Sequence, residues 1–421
     1  MNEYIKAVPE VPVHATNDSA LRILWVKVGG LWPVNTGGRL RSFHLLDELS
    51  RQHDITVITT HHPDEAGETL ATKLPGCREV ISIPYASVKR NSPRFLLMLL
   101  RSWFSALPVD VYKSQVPAIE QAVTEALASG NFDLCVADFL LAVPNVPLGG
   151  SVPVVLFSHN VEYMIWQRLG STETSLVRRA LLELEWRKMR RFESRACAAA
   201  DLTIAVSDED RRLLGLNAPG STIMSIPTGV DTTYFQPAHA AREQANNLVF
   251  TGSMDWHPNE DAILYFIDTI LPRVRRVLPD VSLTVVGRNP GSQLRKVAEE
   301  AGVKITGTVD DVRPWMEEAA VYVVPLRIGG GTRLKIYEAL AMGKAVVSTT
   351  IGAEGLPLKE GVHIVRADTP DVFADRVVEL LQDGKRRQRL GLAGRVLMEQ
   401  HYSWRRVAQD FEQQCRSVVR V

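Results

Sequence analysis

The chain has 421 residues, with 48 lysine and arginine residues against 48 aspartate and glutamate residues, so its formal net charge is zero. This length exceeds what one hydrophobic core organises and predicts two or three domains. The balanced charge argues against a dedicated nucleic-acid-binding protein, which carries a basic excess, and the composition is that of an ordinary globular protein.

In chain order, short β-branched runs alternate with helical patterns. Residues 21–26 predict a strand, residues 39–51 carry apolar side chains at the helical period, and residues 55–59 predict the next strand, which together make a βαβ unit. Further strands are predicted at residues 79–83, 134–137, 152–157, 202–206 and 222–226, with a long charged helix over residues 173–200. This alternation predicts a mostly parallel sheet with helices on both faces.

The alternation breaks at residues 231–247, a polar stretch that we interpret as an interdomain linker. A second series of strands is predicted at residues 248–251, 281–286, 303–305, 321–325, 345–348 and 363–365, with helices at residues 262–277, 332–342 and 403–421. The fold class is therefore α/β, with two doubly wound domains in series. Ligands of such sheets bind beyond the carboxyl ends of the strands, so we expect the site in a cleft between the domains.

Cysteine spacing and hydropathy exclude other classes of protein. Cys77, Cys135, Cys197 and Cys415 are far apart and form no Cys-x-x-Cys pair, which argues against a zinc site or a disulfide framework and is typical of free thiols in the cytosol. Residues 1–20 lack the apolar core of a signal peptide and are expected to be a flexible extension. No apolar run reaches the about 18 residues of a membrane span. We expect a soluble, cytoplasmic protein.

The most informative segment covers residues 325–354, PLRIGGGTRLKIYEALAMGKAVVSTTIGAE. A strand runs into three glycines, and Thr332 suits the N-cap of the helix that follows. Glycines before a helix let the backbone approach a ligand, and the free amides of the first turn favour a phosphate. Glu338 lies six residues beyond Thr332, a rise of about 9 Å, which suits ribose hydroxyls beside a diphosphate. Arg333 and Lys335 add positive charge.

This segment also has plainer interpretations. A glycine triplet is often a flexible loop, and it is not a P-loop here because no Gly-Lys-Ser/Thr follows. Lys335 and Glu338 are three residues apart on one helix and could simply pair with each other.

With these motifs, the chain resembles the retaining family 4 glycosyltransferases of the GT-B fold, from about residue 21 to the final helix. The resemblance implies two Rossmann-like domains: residues 21–235 for the acceptor and residues 247–400 for the nucleotide sugar. It also implies that a helix over residues 401–421 crosses back to the first domain. The implied activity is transfer of a sugar, with retention, from a nucleotide-diphosphate sugar to a hydroxyl acceptor in polysaccharide, exopolysaccharide or glycoconjugate biosynthesis.

The resemblance assigns roles to the segment at residues 325–354. Glu338 matches the family's second motif glutamate, which holds the donor ribose, whereas Gly330 stands where the first glutamate contacts the donor sugar. The backbone amides of Gly331, Thr332 and Leu334 would face the sugar and the diphosphate.

A second departure lies at residues 251–259, TGSMDWHPN, where many family members have an arginine and a lysine that neutralise the diphosphate. Here Gly252 is followed by Ser253 at the arginine position, and Pro258 or Asn259 is near the lysine position. We expect Arg333 and Lys335 to supply the missing charge.

Other donor contacts follow from the resemblance alone. The loop at Gly37 and Gly38 would lie against the diphosphate, although a plain helix start has the same pattern. Arg288 ends a strand near the cleft, and Val309 belongs to a loop whose backbone would hold the nucleobase.

His159 follows a strand, and in similar enzymes a histidine here orients the reacting sugar, although a lone histidine is often an ordinary loop or core residue. Arg41 and Asp138 are candidates for acceptor binding. We therefore predict catalytic roles for His159, Arg333, Lys335 and Glu338.

We recognise no Asp-x-Asp motif of the kind with which metal-dependent transferases bridge a cation to the diphosphate, and we therefore expect a metal-independent enzyme without a cofactor. Residues 89–104 mix basic and apolar side chains, which is typical either of an interfacial helix on an anionic membrane or of a buried helix with snorkelling ends. The predicted partners are a nucleotide sugar, a carbohydrate or lipid-linked acceptor and the inner face of the cell membrane, with no nucleic acid. A nucleotide-sugar 2-epimerase and a non-catalytic sugar-nucleotide-binding subunit are the rival interpretations.

Overall fold

The structure is a computed structural model that describes residues 19–34, 36–63, 68–86, 92–237, 243–328 and 334–419. Most of the predicted N-terminal extension lies outside the described residues, and so do Gly330, Gly331, Thr332 and Arg333. The described residues form two parallel β-sheets with helices on both faces, which confirms the predicted fold class.

The first sheet has seven strands in the order β3-β2-β1-β4-β5-β6-β7. They are β1 (Arg22–Lys27), β2 (Asp54–His61), β3 (Glu79–Pro84), β4 (Leu134–Asp138), β5 (Val154–Phe157), β6 (Leu202–Ala205) and β7 (Ile223–Ser225). Every strand pair is parallel, and β4, β5 and β6 are buried along their whole length. Continuous apolar strands fit this arrangement because helices cover both faces of such a sheet.

The second sheet has six strands in the order β10-β9-β8-β11-β12-β13. They are β8 (Gln244–Thr251), β9 (Ser282–Val286), β10 (Lys304–Ile305), β11 (Ala319–Val324), β12 (Ala345–Ser348) and β13 (Val365–Arg366).

The helices of the first half are α1 (Gly37–Leu49), α2 (Glu68–Lys73), α3 (Pro93–Trp103), α4 (Val109–Lys113), α5 (Pro117–Ala128), α6 (Glu162–Thr172), α7 (Leu176–Ala199) and α8 (Asp208–Asn217). Those of the second half are α9 (His257–Tyr265), α10 (Leu271–Val277), α11 (Ser292–Glu300), α12 (Arg313–Glu318), α13 (Leu334–Ala341), α14 (Pro370–Gln382), α15 (Gly384–Leu397) and α16 (Trp404–Arg416). A 3-10 turn covers Leu140–Asn145, and π-helical turns at Phe266–Ile270 and Met398–Tyr402 join consecutive helices.

Both sheets reverse their winding direction near the middle. In the first sheet the reversal lies between β1 and β4, and in the second it lies between β8 and β11. Crevices form beyond the carboxyl ends of the strands at such switch points, and they are the usual ligand sites of doubly wound sheets. Each sheet therefore has one switch point at which a ligand is expected to bind.

The last helix belongs to the core of the first sheet rather than the second. Trp404 and Phe411 of α16 are buried in the cluster that contains Trp25 of β1, and the Trp25 and Phe411 rings lie 5.6 Å apart. A Cβ on Gly229 would lie 2.6 Å from Trp404, so glycine is required where the chain passes this indole. The helix thus ties the end of the chain to the first sheet, while the predicted domain limits stay a prediction.

The predicted linker at residues 231–247 is wrong at its end, because Gln244–Thr251 form strand β8. Asn247 pairs with Ser282 of β9 in the sheet, and its Nδ2 donates to the Glu318 carbonyl at 3.3 Å. The polar side chains suggested a loop, but the backbone pairs in the sheet, and the Asn247 side chain finds its hydrogen-bond partners there.

Candidate functional site

The carboxyl end of the first sheet holds a buried pair of charges at its switch point. Lys27 ends β1 and Asp138 ends β4, and Lys27 Nζ lies 3.1 Å from Asp138 Oδ2. Trp25 Nε1 donates to the same oxygen at 2.9 Å, and Lys27 Nζ also donates to Ser42 Oγ at 2.9 Å. Burial alone would raise the pKa of Asp138, but Lys27 and His159 outweigh burial and hold this pKa below its ordinary value.

His159 extends this pair into a network. Its Nε2 lies 2.7 Å from Asp138 Oδ1, and its Nδ1 lies 2.9 Å from Arg41 Nη1. A carboxylate only accepts and a guanidinium only donates, so Nε2 carries the proton and Nδ1 accepts. Burial lowers the pKa of His159 to about 3, so the ring is neutral at physiological pH. Both ring nitrogens are therefore engaged by protein groups.

The ring of Phe139 covers His159. The two rings stack with centroids 3.8 Å apart and an interplanar angle of 7°, and the Phe139 backbone has a φ of 75°, which is strained for a bulky residue. A Cβ on Gly38 would lie 2.5 Å from Phe139 Cζ, whereas one on Gly37 would meet none of the described atoms within 4 Å. The close approach of Phe139 therefore explains why residue 38 is a glycine, whereas no described neighbour explains the glycine at position 37. Phe139 was missed because an apolar residue after a strand carries no sequence signal.

Arg41 and Asp138, the predicted acceptor ligands, lie inside this network. Arg41 is 6% exposed, Asp138 is 0% exposed, and Arg41 Nε donates to Thr228 Oγ1 at 2.9 Å. Burial lowers the pKa of Arg41 to about 10. Their acceptor-binding role stays a prediction, and it would require these buried side chains to become accessible. In the structure, their hydrogen bonds fix the position of the His159 ring.

At the carboxyl end of the second sheet, Lys335 occupies the space beside Gly252. Its Nζ donates to Asn259 Oδ1 at 2.7 Å, and a Cβ on Gly252 would lie 2.7 Å from this Nζ. Glycine at position 252 thus leaves room for the ammonium group. The Lys335 ammonium group thus contacts Asn259, a residue near the position at which similar enzymes have a lysine.

Glu338 lies one turn further along α13 and is partly buried. Burial raises the pKa of Glu338 to about 7, although the positive charge of Lys335 acts in the opposite direction. Burial, with the nearby Glu338 adding to it, also raises the pKa of Tyr322, whose hydroxyl is hydrogen-bonded to Thr251 at the end of β8. The raised pKa of Glu338 marks a carboxyl group that gains from hydrogen-bond donors.

The loops after β8 and β9 are tied together by Arg288. Its Nε donates to Ser253 Oγ at 2.8 Å and lies 3.7 Å from Asp255 Oδ2. Asn289 Nδ2 donates to the same carboxylate at 3.2 Å. A guanidinium therefore contacts the serine that stands at the family's arginine position.

The remaining predicted donor residues either belong to the second half of the chain, as Leu334 and Val309 do, or lie outside the described residues. Leu334 begins α13, and Val309 packs on the core cluster that contains Val249 of β8. Gly330, Gly331, Thr332 and Arg333 lie outside the described residues, so their donor contacts stay predictions.

Two global properties of the described residues bear on the site. No group of three or more His, Cys, Asp or Glu side chains in the described ranges could hold a metal ion. None of the helices that the structure describes has the length and apolarity of a bilayer span.

Helix α3 carries apolar side chains that face solvent. Leu97 is 51% exposed, Leu100 is 41% exposed, and Phe104, just after the helix, is 94% exposed. Lys188 Nζ donates to the Ser102 carbonyl at 2.8 Å, which anchors the end of α3 to α7. The interpretation of α3 as a buried helix does not hold for the three exposed side chains.

Comparison with known families covers most of the chain. Residues 37–234 match the model described as Glycosyltransferase Family 4, and residues 245–383 match the model described as Glycosyl transferases group 1.

Two curated relatives come from Mycobacterium tuberculosis. A phosphatidyl-myo-inositol mannosyltransferase is 35% identical over 49% of this chain and 56% of its own length. A GDP-mannose-dependent alpha-(1-6)-phosphatidylinositol monomannoside mannosyltransferase is 27% identical over 62% of this chain and 73% of its own length. The chain thus matches little more than half the length of the first relative.

Two solved structures have a similar fold along nearly the whole chain. Sucrose-phosphate synthase from Thermosynechococcus elongatus superposes with a TM-score of 0.66 at 17% identity, over 94% of this chain and 99% of its own. Anabaena HepE in complex with UDP and glucose superposes with a TM-score of 0.62 at 14% identity, over 94% of this chain and 100% of its own. At these identities, the likeness establishes the fold.

Proposed function

The chain belongs to the family 4 glycosyltransferases of the GT-B fold, and from this premise we propose that it transfers a sugar from a nucleotide-diphosphate sugar to a hydroxyl group of an acceptor. One observation carries the proposal: helix α13 presents both a cation, Lys335, and a carboxyl group, Glu338, near the end of β8. A diphosphate needs the first group and a ribose diol needs the second.

Lys335 and Arg288 are the described cations that suit the leaving diphosphate. Lys335 Nζ lies beside Gly252, and Arg288 Nε hydrogen-bonds Ser253, so the two charges flank the loop after β8. Asp255 partly neutralises Arg288, which makes Lys335 the stronger candidate. Preorganised cations of this kind stabilise the charge that develops on a leaving phosphate without a metal ion. Arg333 would add to them.

We propose a reaction on one face of the sugar. The bond from the anomeric carbon to the diphosphate oxygen breaks, the bond to the acceptor oxygen forms, and the acceptor hydroxyl proton passes to the departing phosphate. His159 takes no proton in this scheme, because both of its nitrogens are engaged. For His159 to orient the sugar, Phe139 has to swing away first.

The acceptor is proposed to be lipid-linked and to be met at the cytoplasmic face of the membrane, in assembly of a polysaccharide or glycoconjugate. The exposed apolar side chains of Leu97 and Leu100 on α3, and of Phe104 just after it, support a peripheral membrane contact. The relatives whose names specify phosphatidylinositol lipids as acceptors point the same way.

Thermal-shift measurements with GDP-mannose and UDP-glucose test donor binding, since a ligand held by the native state raises the melting temperature. We expect one donor to stabilise the wild type and to lose most of this effect in Lys335→Met. Lys296→Met, at a lysine on α11 that is 78% exposed, is the matched control and should behave as wild type.

Incubation of the protein with the stabilising donor, with and without a membrane lipid extract, tests transfer. Release of nucleoside diphosphate that requires the extract is expected. An epimer formed from donor alone would favour the 2-epimerase, which the two transferase family models do not favour. Binding without any transfer would favour a non-catalytic subunit.

A further inference from the structure

Helices α6 and α7 form a hairpin whose end projects from the molecule. In the first turns of α7, residues 176–180 are all exposed, with Leu176 at 80% and Val177 at 72%. A helix that lies on a protein body buries one side in each turn, so five consecutive exposed residues mean that this part of α7 extends beyond the body.

Helix α6 contributes to the same end. Leu169 is 51% exposed, and the neighbouring Arg168 is exposed as well. A Cβ on Gly170 would lie 3.5 Å from Leu182 Cβ, so α6 lies close to α7 here. We define the hairpin tip by its exposed side chains, which are Arg168, Leu169, Leu176, Val177, Arg178 and Arg179.

The charge of α7 identifies the kind of partner. The helix has seven basic and three acidic residues, a net charge of +4 (seven minus three) in a chain whose net charge is zero. Two of the three acids, Glu185 and Glu193, are buried, so the solvent-facing surface of α7 is basic. A symmetric contact with a second copy would set these arginines against each other, whereas an anionic bilayer would neutralise them.

We propose that the hairpin tip docks on an anionic lipid bilayer, with Leu169, Leu176 and Val177 at the headgroup–acyl boundary and the arginines on lipid phosphates. Apolar side chains flanked by arginine are what such an interface binds. Helix α7 covers the face of the first sheet opposite α1 and α16, and Lys188 of α7 joins it to the end of α3. The inference extends the membrane contact proposed for α3, and so rests on it, by adding a second point of attachment.

Vesicle flotation of the full chain tests the proposal. We expect wild type to float with vesicles of equal parts phosphatidylglycerol and phosphatidylcholine and to bind vesicles of phosphatidylcholine alone at least about tenfold more weakly. Leu176→Ser/Val177→Ser should lower binding to the mixed vesicles by about tenfold. The matched control is Leu392→Ser, at a leucine of α15 that is 67% exposed, and it should bind as wild type.

Two results would overturn the inference. If Leu97→Ser/Leu100→Ser abolished flotation and the tip variant floated as wild type, the contact would belong to α3 alone. If wild type did not float and sedimented as a dimer that the tip variant dissociated, the tip would be a protein interface. Thermal shifts with the nucleotide sugar are measured in the same variants. A normal shift in a variant that fails to float would show that the membrane contact is lost while donor binding is intact.

Discussion

Glu338 is the residue whose charge state links the site to pH. Burial holds the pKa of Glu338 at about 7, against an ordinary value of 4.5. The folded protein therefore keeps this proton where the unfolded chain has lost it, and Glu338 lowers stability as pH rises between these two values. A carboxylate that accepts from two ribose hydroxyls must be ionised, so donor binding favours loss of the same proton.

The predicted consequence is that affinity for a nucleotide sugar rises by about tenfold between pH 6 and pH 8, as the ionised fraction of Glu338 grows. Calorimetric titration over this range measures it. A nucleotide sugar is the right probe because its esterified diphosphate does not titrate there. Glu338→Gln should bind more weakly with no pH dependence, and an unchanged slope in this variant would contradict the assignment.

Asp138 is the residue on which the buried charges of the first sheet depend. Asp138→Asn would leave Lys27 buried without its carboxylate partner at 3.1 Å, which is expected to cost about 3–5 kcal/mol of the free energy of unfolding. Chemical denaturation measures this cost. Asp47→Asn removes an exposed pair with Arg51 and should cost less than about 1 kcal/mol. Equal effects of the two substitutions would show that the buried pair contributes no more stability than the exposed one.

Single residues could be predicted from the sequence where a motif fixes their place. Lys335 and Glu338 are predicted from their spacing after the glycine-rich turn together with the family resemblance, which gives Glu338 its ribose role. Contacts across the sheet have no such signal: Arg288 reaches Ser253, 35 residues away, through the pairing of β8 with β9.

At the scale of elements, the start of α1 is packed so closely against the Phe139 ring that a side chain at position 38 would clash with it. Gly38→Ala would force a Cβ to within 2.5 Å of Phe139 Cζ, and we expect a loss of about 1–3 kcal/mol in the free energy of unfolding. Phe139→Leu in the same chain should recover part of it, which a double-mutant cycle measures. A purely additive double mutant would contradict the contact.

Gly37→Ala is the matched substitution one residue earlier. Its Cβ would meet no described atom within 4 Å, so stability should stay within about 0.5 kcal/mol of wild type. If the donor diphosphate approaches this turn, donor affinity should nevertheless fall, and unchanged affinity would remove Gly37 from the donor site.

Element types were more predictable than element limits. The apolar strands β4 and β5 could be recognised because burial on both faces demands continuous hydrophobic runs. The start of β8 could not, since three of the four residues from Gln244 to Asn247 are polar and the stretch owes its strand conformation to neighbouring strands.

At the scale of the whole molecule, two switch points carry complementary chemistry. The first sheet offers a buried network around His159 that is closed by Phe139, and the second offers Lys335 and Glu338. A two-domain transferase needs these edges to meet around the donor, because closure excludes water from a reactive sugar. Helix α16 returns to the first sheet and gives the two halves a second chain connection.

A crystal structure of the protein with a bound nucleotide sugar tests the account most directly. It should place the diphosphate within hydrogen-bond distance of Lys335 Nζ and the ribose hydroxyls on the Glu338 carboxylate, beyond the ends of β8 and β11. A donor bound elsewhere, or a ribose held by other residues while Glu338 turns away, would contradict it.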